Sequence, residues 1–409
     1  MKKVLLAGTA LVGAALASTP AHADLKLDLG GYFRGYAVYS DNDEAAGAGN
    51  ELDNIDFRRD TEVQFTGETT TDAGLTVGVH TELKLGNESI TAGVPSGNGS
   101  TTPFQVAAIG GSQTDEAYAY FSGGWGRVNF GSEDGSAYLL QVAAPSADSN
   151  VDGLRVYVQS FASQEWNGLG QATVAGTNVP QGDILGYDNA AFRNAEKLTY
   201  LTPKWNGFQA GVSYAPNGEQ QAVYGATASP VADASAGFQD AWEAAARWDG
   251  EWSGFGISAG AGYAHADSRV SGPTTTIGSD DFQAWDAGVN VTFQDFSLGV
   301  AYKTTDTGVD TDGDVDTWVV GGAWDNGPYH VGLSWADYSF DTNAYGAGSA
   351  LNGNVSNVDL DRYTVGGGYT YGPGMTFRGS VSYLDVDSGV AGGGDPSQYQ
   401  VAIGTDINF

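Results

Sequence analysis

The sequence predicts an all-β fold, a 16-stranded antiparallel transmembrane β-barrel. Apolar and polar residues alternate with period two in segment after segment, as a strand does when its two faces meet different surroundings. Links between segments alternate between short and long, and aromatic side chains gather at segment ends. Composition agrees with this. Glycine, at 61 of 409 residues, is roughly twice the ~7% typical of proteins, which suits turns and close backbone packing and weakens helix interiors. With 49 acidic against 17 basic residues and a net charge of -32, the chain shows no basic patch to neutralise phosphates, so no nucleic-acid partner is expected. Trp 10, Tyr 21 and Phe 17 supply more buriable surface than a disordered chain carries.

Residues 1–23 read as a secretory signal: Lys2 and Lys3, the apolar run Val4 to Ala17, then Ala21-His22-Ala23 before Asp24. Residues 24–409 follow as one barrel unit, since no linker or composition shift divides them. Export with Cys 0 fits a bacterial envelope protein folded without disulfides. No apolar stretch of about 18 residues follows the signal, so the rest can cross a membrane only as strands.

The first segment, 25–40, places Leu25, Leu27, Leu29, Phe33, Ala37 and Tyr39 on one face and Lys26, Asp28, Tyr32, Arg34 and Tyr36 on the other. The second, 55–66, sets Phe57, Val63 and Phe65 against Arg58, Asp60, Glu62 and Gln64, with Arg59 an exception assigned to the aqueous rim. The third, 75–86, sets Leu75, Val77, Val79, Leu83 and Leu85 against His80, Glu82 and Lys84. The pattern continues through 114–122, 127–132, 194–202, 208–215, 237–249, 255–265, 281–293, 297–304, 317–324, 329–338, 358–371, 376–384 and 397–409. The count is even, as up-and-down barrels prefer. Short links such as 203–207, 250–254, 325–328 and 372–375 are rich in turn-forming Gly, Asn, Asp and Pro. Long links, among them 41–54, 87–113, 133–193 and 339–357, alternate with them, which gives one plain rim and one elaborated rim.

A soluble sandwich would also alternate, but its polar faces would point outward. Here the polar faces carry Arg, Glu and Tyr together, as a wet lumen would. Trp125, Trp205, Trp252, Phe255, Phe293, Phe296, Trp324, Tyr329, Tyr371, Phe377 and Phe409 flank the short turns or the terminus, like the aromatic girdle of a membrane interface. A sparser second band is expected from Tyr39, Phe57, Trp335, Tyr338 and Tyr383. The last segment alternates Tyr399, Val401, Ile403 and Ile407 with Gln398, Gln400, Gly404 and Asp406 and stops on Phe409. It resembles the C-terminal signal that the outer-membrane assembly machinery of Gram-negative bacteria reads.

Three stretches carry a wider resemblance: Thr66-Gly67 leading to Asp72-Ala73-Gly74-Leu75-Thr76-Val77-Gly78; Glu116-Ala117-Tyr118 running into Ser122-Gly123-Gly124-Trp125-Gly126-Arg127-Val128-Asn129-Phe130-Gly131; and the strand from Asn194 to Thr202 followed by Pro203 and Asn206-Gly207-Phe208. On these, the mature chain resembles the general porins of Gram-negative bacteria, most nearly the alphaproteobacterial group. The resemblance implies an outer-membrane homotrimer in contact with lipid and lipopolysaccharide, whose third long loop folds inward as a constriction loop. Segment 133–193 stands where that loop belongs; 87–113 is also long but is mostly Gly, Ser, Thr and Ala.

A passive pore selects by width and by the charge of its lining. Parity sends Lys26, Arg34, Arg58, Lys84, Arg247, Lys303, Arg362 and Arg378 inward, together with Asp28, Asp60, Glu62, Glu82, Glu116, Glu243, Asp286 and Asp406. We expect Arg34, Arg58, Lys84 and Arg378 on the wall side of the constriction and Asp148 and Asp152 among the loop acids. The acidic excess predicts a weak preference for cations in a passive, general-diffusion channel for small hydrophilic solutes. The lumen-parity Tyr32, Tyr36, Tyr118 and Tyr120 could instead form a stacking track in a solute-specific channel, and a non-conducting envelope or adhesin protein is the third reading. The run Asp306, Asp310, Asp312, Asp314 and Asp316 is not an EF-hand; its oxygens suit Ca²⁺, with Asp310, Asp312, Asp314 and Asp316 as the ligands, beside the default reading of a solvated or lipopolysaccharide-bridging loop. No other cofactor is expected. An enzyme is not predicted: His80, His265 and His330 fall on separate segments, and neither a G-x-S-x-G elbow nor an H-E-x-x-H motif occurs.

Overall fold

The computed structural model describes residues 25–42, 54–85, 113–158, 173–174, 177–178, 185–193, 195–218, 238–269, 280–308, 314–341, 357–387 and 397–409. The expected signal segment, 1–23, lies outside them.

Sixteen strands follow one another: β1 (Lys26–Asn42), β2 (Ile55–Thr70), β3 (Thr76–Lys84), β4 (Gln113–Gly123), β5 (Gly126–Ser132), β6 (Glu196–Leu201), β7 (Phe208–Asn217) and β8 (Phe238–Trp252), then β9 (Phe255–Ser268), β10 (Phe282–Phe293), β11 (Phe296–Asp306), β12 (Asp314–Asn326), β13 (Tyr329–Asp341), β14 (Asn357–Gly372), β15 (Met375–Asp387) and β16 (Ser397–Asn408). Each pairs with its chain neighbours, and β1 closes on β16 in the register Phe33↔Ile407, so the barrel has no open edge. Every strand sits where alternation places it. Several run past their predicted ends, as β2 does to Thr70, because backbone pairing such as Thr70↔Thr76 continues where the side chains are all polar.

Outside the barrel wall are a two-residue ladder, Thr173–Val174 with Thr177–Asn178, and two single-turn helices, α1 (Ser136–Leu139) and α2 (Ser149–Asp152). Tight links use positive-φ pairs, Asn206 (φ 48) with Gly207 (φ 83) and Ser253 (φ 52) with Gly254 (φ 85), as primed hairpin turns require.

Large apolar side chains point out. Leu27 is 79% exposed and Leu298 66%, while the neighbouring face buries Tyr36 at 3%. That inversion suits a wall between lipid and an occupied interior. The girdle at the short turns is present: Trp125, Trp205, Trp252, Phe293, Phe296, Phe377 and Phe409 are exposed. The second band is denser than expected and differs in membership. Tyr214–Trp242, Tyr263–Trp285, Tyr302–Trp318 and Tyr383–Tyr399 meet across strands at 4.3, 4.1, 4.5 and 4.7 Å between ring centroids. Tyr338, predicted for this band, is instead fully buried on the inner side, where its hydroxyl donates to the carbonyl of Leu185 at 2.6 Å. A hydroxyl partner inside the barrel marks its face.

Candidate functional site

The link between β5 and β6 turns inward. Residues 133–158 and 185–193 of it lie within the barrel and follow the wall from strand to strand. At the start, Lys197 of β6 donates to the carbonyl of Glu133, and the amide of Ser136 donates to Ser213 of β7 at 2.8 Å. The amide of Ala137 donates to Glu243 of β8 at 3.1 Å. Further on, His330 of β13 meets the Ser146 carbonyl at 3.0 Å, and Arg362 of β14 donates to the Val151 carbonyl at 3.1 Å. Asn150 then donates to Asp406 of β16 and to Tyr36 of β1, both at 2.9 Å. The returning limb is tied by Lys303 to the Asp188 carbonyl at 2.6 Å and by Asn189 to Asp286 at 2.8 Å.

A line of inward-facing glycines lets the backbone lie this close. A Cβ at Gly288 would overlap the carbonyl oxygen of Val142, one at Gly321 that of Pro145, and one at Gly332 that of Ser146. A Cβ at Gly260 would stand 3.0 Å from the Leu140 carbonyl oxygen, tighter than an ordinary contact. On strands β9, β10, β12 and β13 they make a shallow groove for the loop. These glycines therefore serve close backbone approach rather than turns.

The loop's contacts run along the wall from β6 to β16 and reach Tyr36 on β1, and charged side chains of β1 to β5 line the other side of the lumen. Arg34 on β1 is 3.1 Å from Asp60 on β2, and its guanidinium lies between the rings of Tyr32 and loop residue Tyr157, 3.9 and 4.1 Å from their centroids. Lys84 on β3 is 3.3 Å from Asp115 on β4 and 5.7 Å from the Tyr157 centroid. Arg127 on β5 covers Tyr120 at 4.1 Å. From the loop, Arg155 reaches Asp134 at 2.5 Å and Asp188 at 2.6 Å, over the Tyr138 ring at 3.9 Å. Glu62, Glu82 and Glu116 add carboxylates to the same side, Gln64 donating to both Glu62 and Glu82 at 2.7 and 2.9 Å.

Of the wall bases expected at the constriction, Arg34, Lys84 and Arg378 stand beside loop residues. Arg378 pairs with Asp406 at 2.6 Å and with Asp148 at 3.4 Å. Arg58 does not join them: its partner is Asp56, at 2.6 Å, one step nearer the strand's start, and both are well exposed. Asp148 is fully buried against Tyr36 and Arg378. Asp152, expected to oppose wall bases, instead folds back on its own loop, accepting from the amides of Ala147 and Asp148 at 2.8 Å and from Ser334 at 2.5 Å. A short carboxylate beside free helix-start amides satisfies those first. Of the four lumen-parity tyrosines, Tyr36 bonds the loop; Tyr32 donates to Glu62 at 3.1 Å and Tyr120 to Glu68 at 2.7 Å. Sequence reasoning missed Tyr157, Tyr138 and Asn150, which carry no periodic signal in a loop.

Asp310 and Asp312 lie outside the described residues. Asp314 and Asp316 begin β12, where Asp316 accepts from Tyr302 at 2.7 Å. Among the described residues neither belongs to a group of side chains close enough to share an ion.

Burial sets the protonation of the loop. It pushes the Asp148 carboxyl up to about 6, with the Arg378 charge and the Asn150 amide restraining the rise. Glu133 is raised by burial against two hydrogen bonds from Asn129. Burial opposes the Arg155 charge, but Asp134 and Asp188 more than offset it and hold the guanidinium firmly protonated.

A family model described as Gram-negative porin matches residues 7–389. Among solved structures, a loop-deletion mutant of OmpT, an outer membrane protein of Vibrio cholerae, superposes with a TM-score of 0.55 at 13% identity, covering 94% of this chain and 99% of that one. An anion-selective porin from Comamonas acidovorans superposes with a TM-score of 0.55 at 16% identity, covering 94% and 100%. A mutant of the Rh. blastica porin gives 0.53 at 18% identity, with the same 94% and 100% coverage. No curated protein sequence matches.

Proposed function

We propose that this chain, which belongs to the Gram-negative porin family and is an outer-membrane channel, is a general-diffusion porin with a weak preference for cations. One observation carries the proposal. Arg34, Lys84, Arg155 and Arg378 each have at least one acid in contact, Arg155 and Arg378 two each, while Glu62, Glu82 and Glu116 stand on the lumenal wall in addition. A surplus of acid at the narrowest section raises local cation concentration. The family fold leaves the sign of selectivity open, since one structural relative is an anion-selective porin. Lining charge must therefore decide it.

The tyrosines support unselective passage over a sugar track. Tyr32 and Tyr120 each carry an arginine on a ring face that stacking would need. A homotrimer is part of the proposal. A similar structure is described as the trimer form of in-vitro folded OmpT from Vibrio cholerae. Among the described residues, the tyrosine–tryptophan pairs at the long-link ends of β7 to β12 have no counterpart at those ends of β3 to β6, where the Trp125–Tyr200 pair lies at the short-turn rim instead, which suits a face covered by another copy.

Planar-bilayer recording under a KCl gradient tests this. Ohmic openings in threes with a modestly cation-directed reversal potential are expected. An anion-directed potential would overturn the charge argument, and saturable block by one sugar would favour a solute-specific channel.

A further inference from the structure

We propose that the inner wall of β3 and β4 holds a divalent transition-metal site, of the zinc class, formed by His80, Glu82 and Glu116. His80 and Glu82 are two residues apart on β3 and so share its lumenal face, and Glu116 comes from the same face of β4. One ligand atom from each lies within 4.8 Å of the other two, and His80 Nε2 is 3.0 Å from Glu82 Oε1. An ion about 2.0–2.2 Å from each would hold such atoms roughly 3.3–3.6 Å apart, which small side-chain rotations reach.

The groups behind these three are those a metal ligand needs. His80 Nδ1 is 2.7 Å from the hydroxyl of Thr66. That hydroxyl can donate when Nε2 carries the proton and accept when Nε2 gives its lone pair to a metal. The imidazole can therefore change tautomer without losing its anchor. Gln64 donates to Glu82 at 2.9 Å, and Glu116 accepts from the amide of Asp134 at 3.3 Å, so each carboxylate also has a hydrogen-bond partner of its own. His80 and Glu82 keep 16% of their side-chain surface open, enough for an ion and a water to enter from the lumen. One imidazole with two carboxylates selects zinc-like ions over Ca²⁺ and Mg²⁺, which favour all-oxygen sets. Binding would place two positive charges next to Asp134, where the inward loop begins.

The test is calorimetric titration of the full-length, detergent-folded protein with Zn²⁺, and with Co²⁺ as a visible-absorption probe, in the presence of excess Ca²⁺. Saturable Zn²⁺ binding that Ca²⁺ does not displace is expected, with His80→Gln weakening it by 100-fold or more and Thr66→Val by about 10–100-fold. His265→Gln, which alters the separate His265, Asp267 and Asp281 grouping, should leave it unchanged. Should His80→Gln fail to fold, Glu116→Gln carries the same expectation. No Zn²⁺ binding to folded protein, equal competition by Ca²⁺, or loss of binding with His265→Gln alone would each overturn the proposal. The readout needs no conductance, so a metal-binding but silent protein would reject the channel reading and leave the site standing.

Discussion

Arg378 Nη1 lies 3.4 Å from Asp148 Oδ1, joining an arginine of strand β15 to a fully buried carboxylate of the inward loop. The same carboxylate accepts from the Tyr36 hydroxyl at 3.1 Å, so wall strands from both sides of the barrel closure hold one point of the loop.

Asp148→Asn should loosen that attachment. Arg378 keeps Asp406, at 2.6 Å, so the loss is partial. We expect a destabilisation of about 1–3 kcal/mol and noisier open-channel current, read from thermal unfolding and single-channel recording.

The protonation of Asp148 should also give stability a pH dependence. Its carboxyl is raised from 3.8 to about 6, so the folded state holds a proton that the unfolded chain releases. The associated stabilisation is complete below about pH 4 and is lost as pH rises through 6, to the extent of roughly 3 kcal/mol. Unfolding measured at pH 4 to 7 in wild type and Asp148→Asn should differ in slope over that window alone. Parallel curves would refute it.

Adjacent glycines on β12 separate loop support from strand packing. A side chain at Gly321 meets the Pro145 carbonyl, whereas at Gly322, on the outer face, the nearest atoms are 3.6 and 3.7 Å away. Gly321→Ala should push the loop into the passage, lowering conductance and costing about 1–3 kcal/mol, while Gly322→Ala changes neither. Single-channel conductance of the two variants decides the point.

Lining charge should set the sign of selectivity. Glu62→Gln with Glu82→Gln is expected to move the reversal potential toward anions, and Arg34→Ala toward cations, with the shifts shrinking at high salt. Equal potentials in all variants would place selectivity elsewhere.

Strand number, inward and outward faces, and the short-turn girdle were legible because they are local: alternation such as Leu25, Leu27, Leu29 against Lys26, Asp28 needs no knowledge of a partner. Tyr338 shows the limit, since an aromatic near a strand end suits either a lipid interface or a buried hydroxyl contact. Arg58 and Asp152 show another. Parity and charge put them near the passage, but Asp56 and the loop's own amides, close in the chain, satisfied them first.

A period-two pattern thus carries the all-β barrel and its wet interior, because each strand must meet lipid on one side and the lumen on the other. It carries nothing about which loop charge meets which wall charge. Arg378 and Asp148 are 230 residues apart, and what joins them is the path the loop takes over a glycine-lined wall. That path depends on backbone approach across six or more strands, a relation that exists only once the barrel has closed.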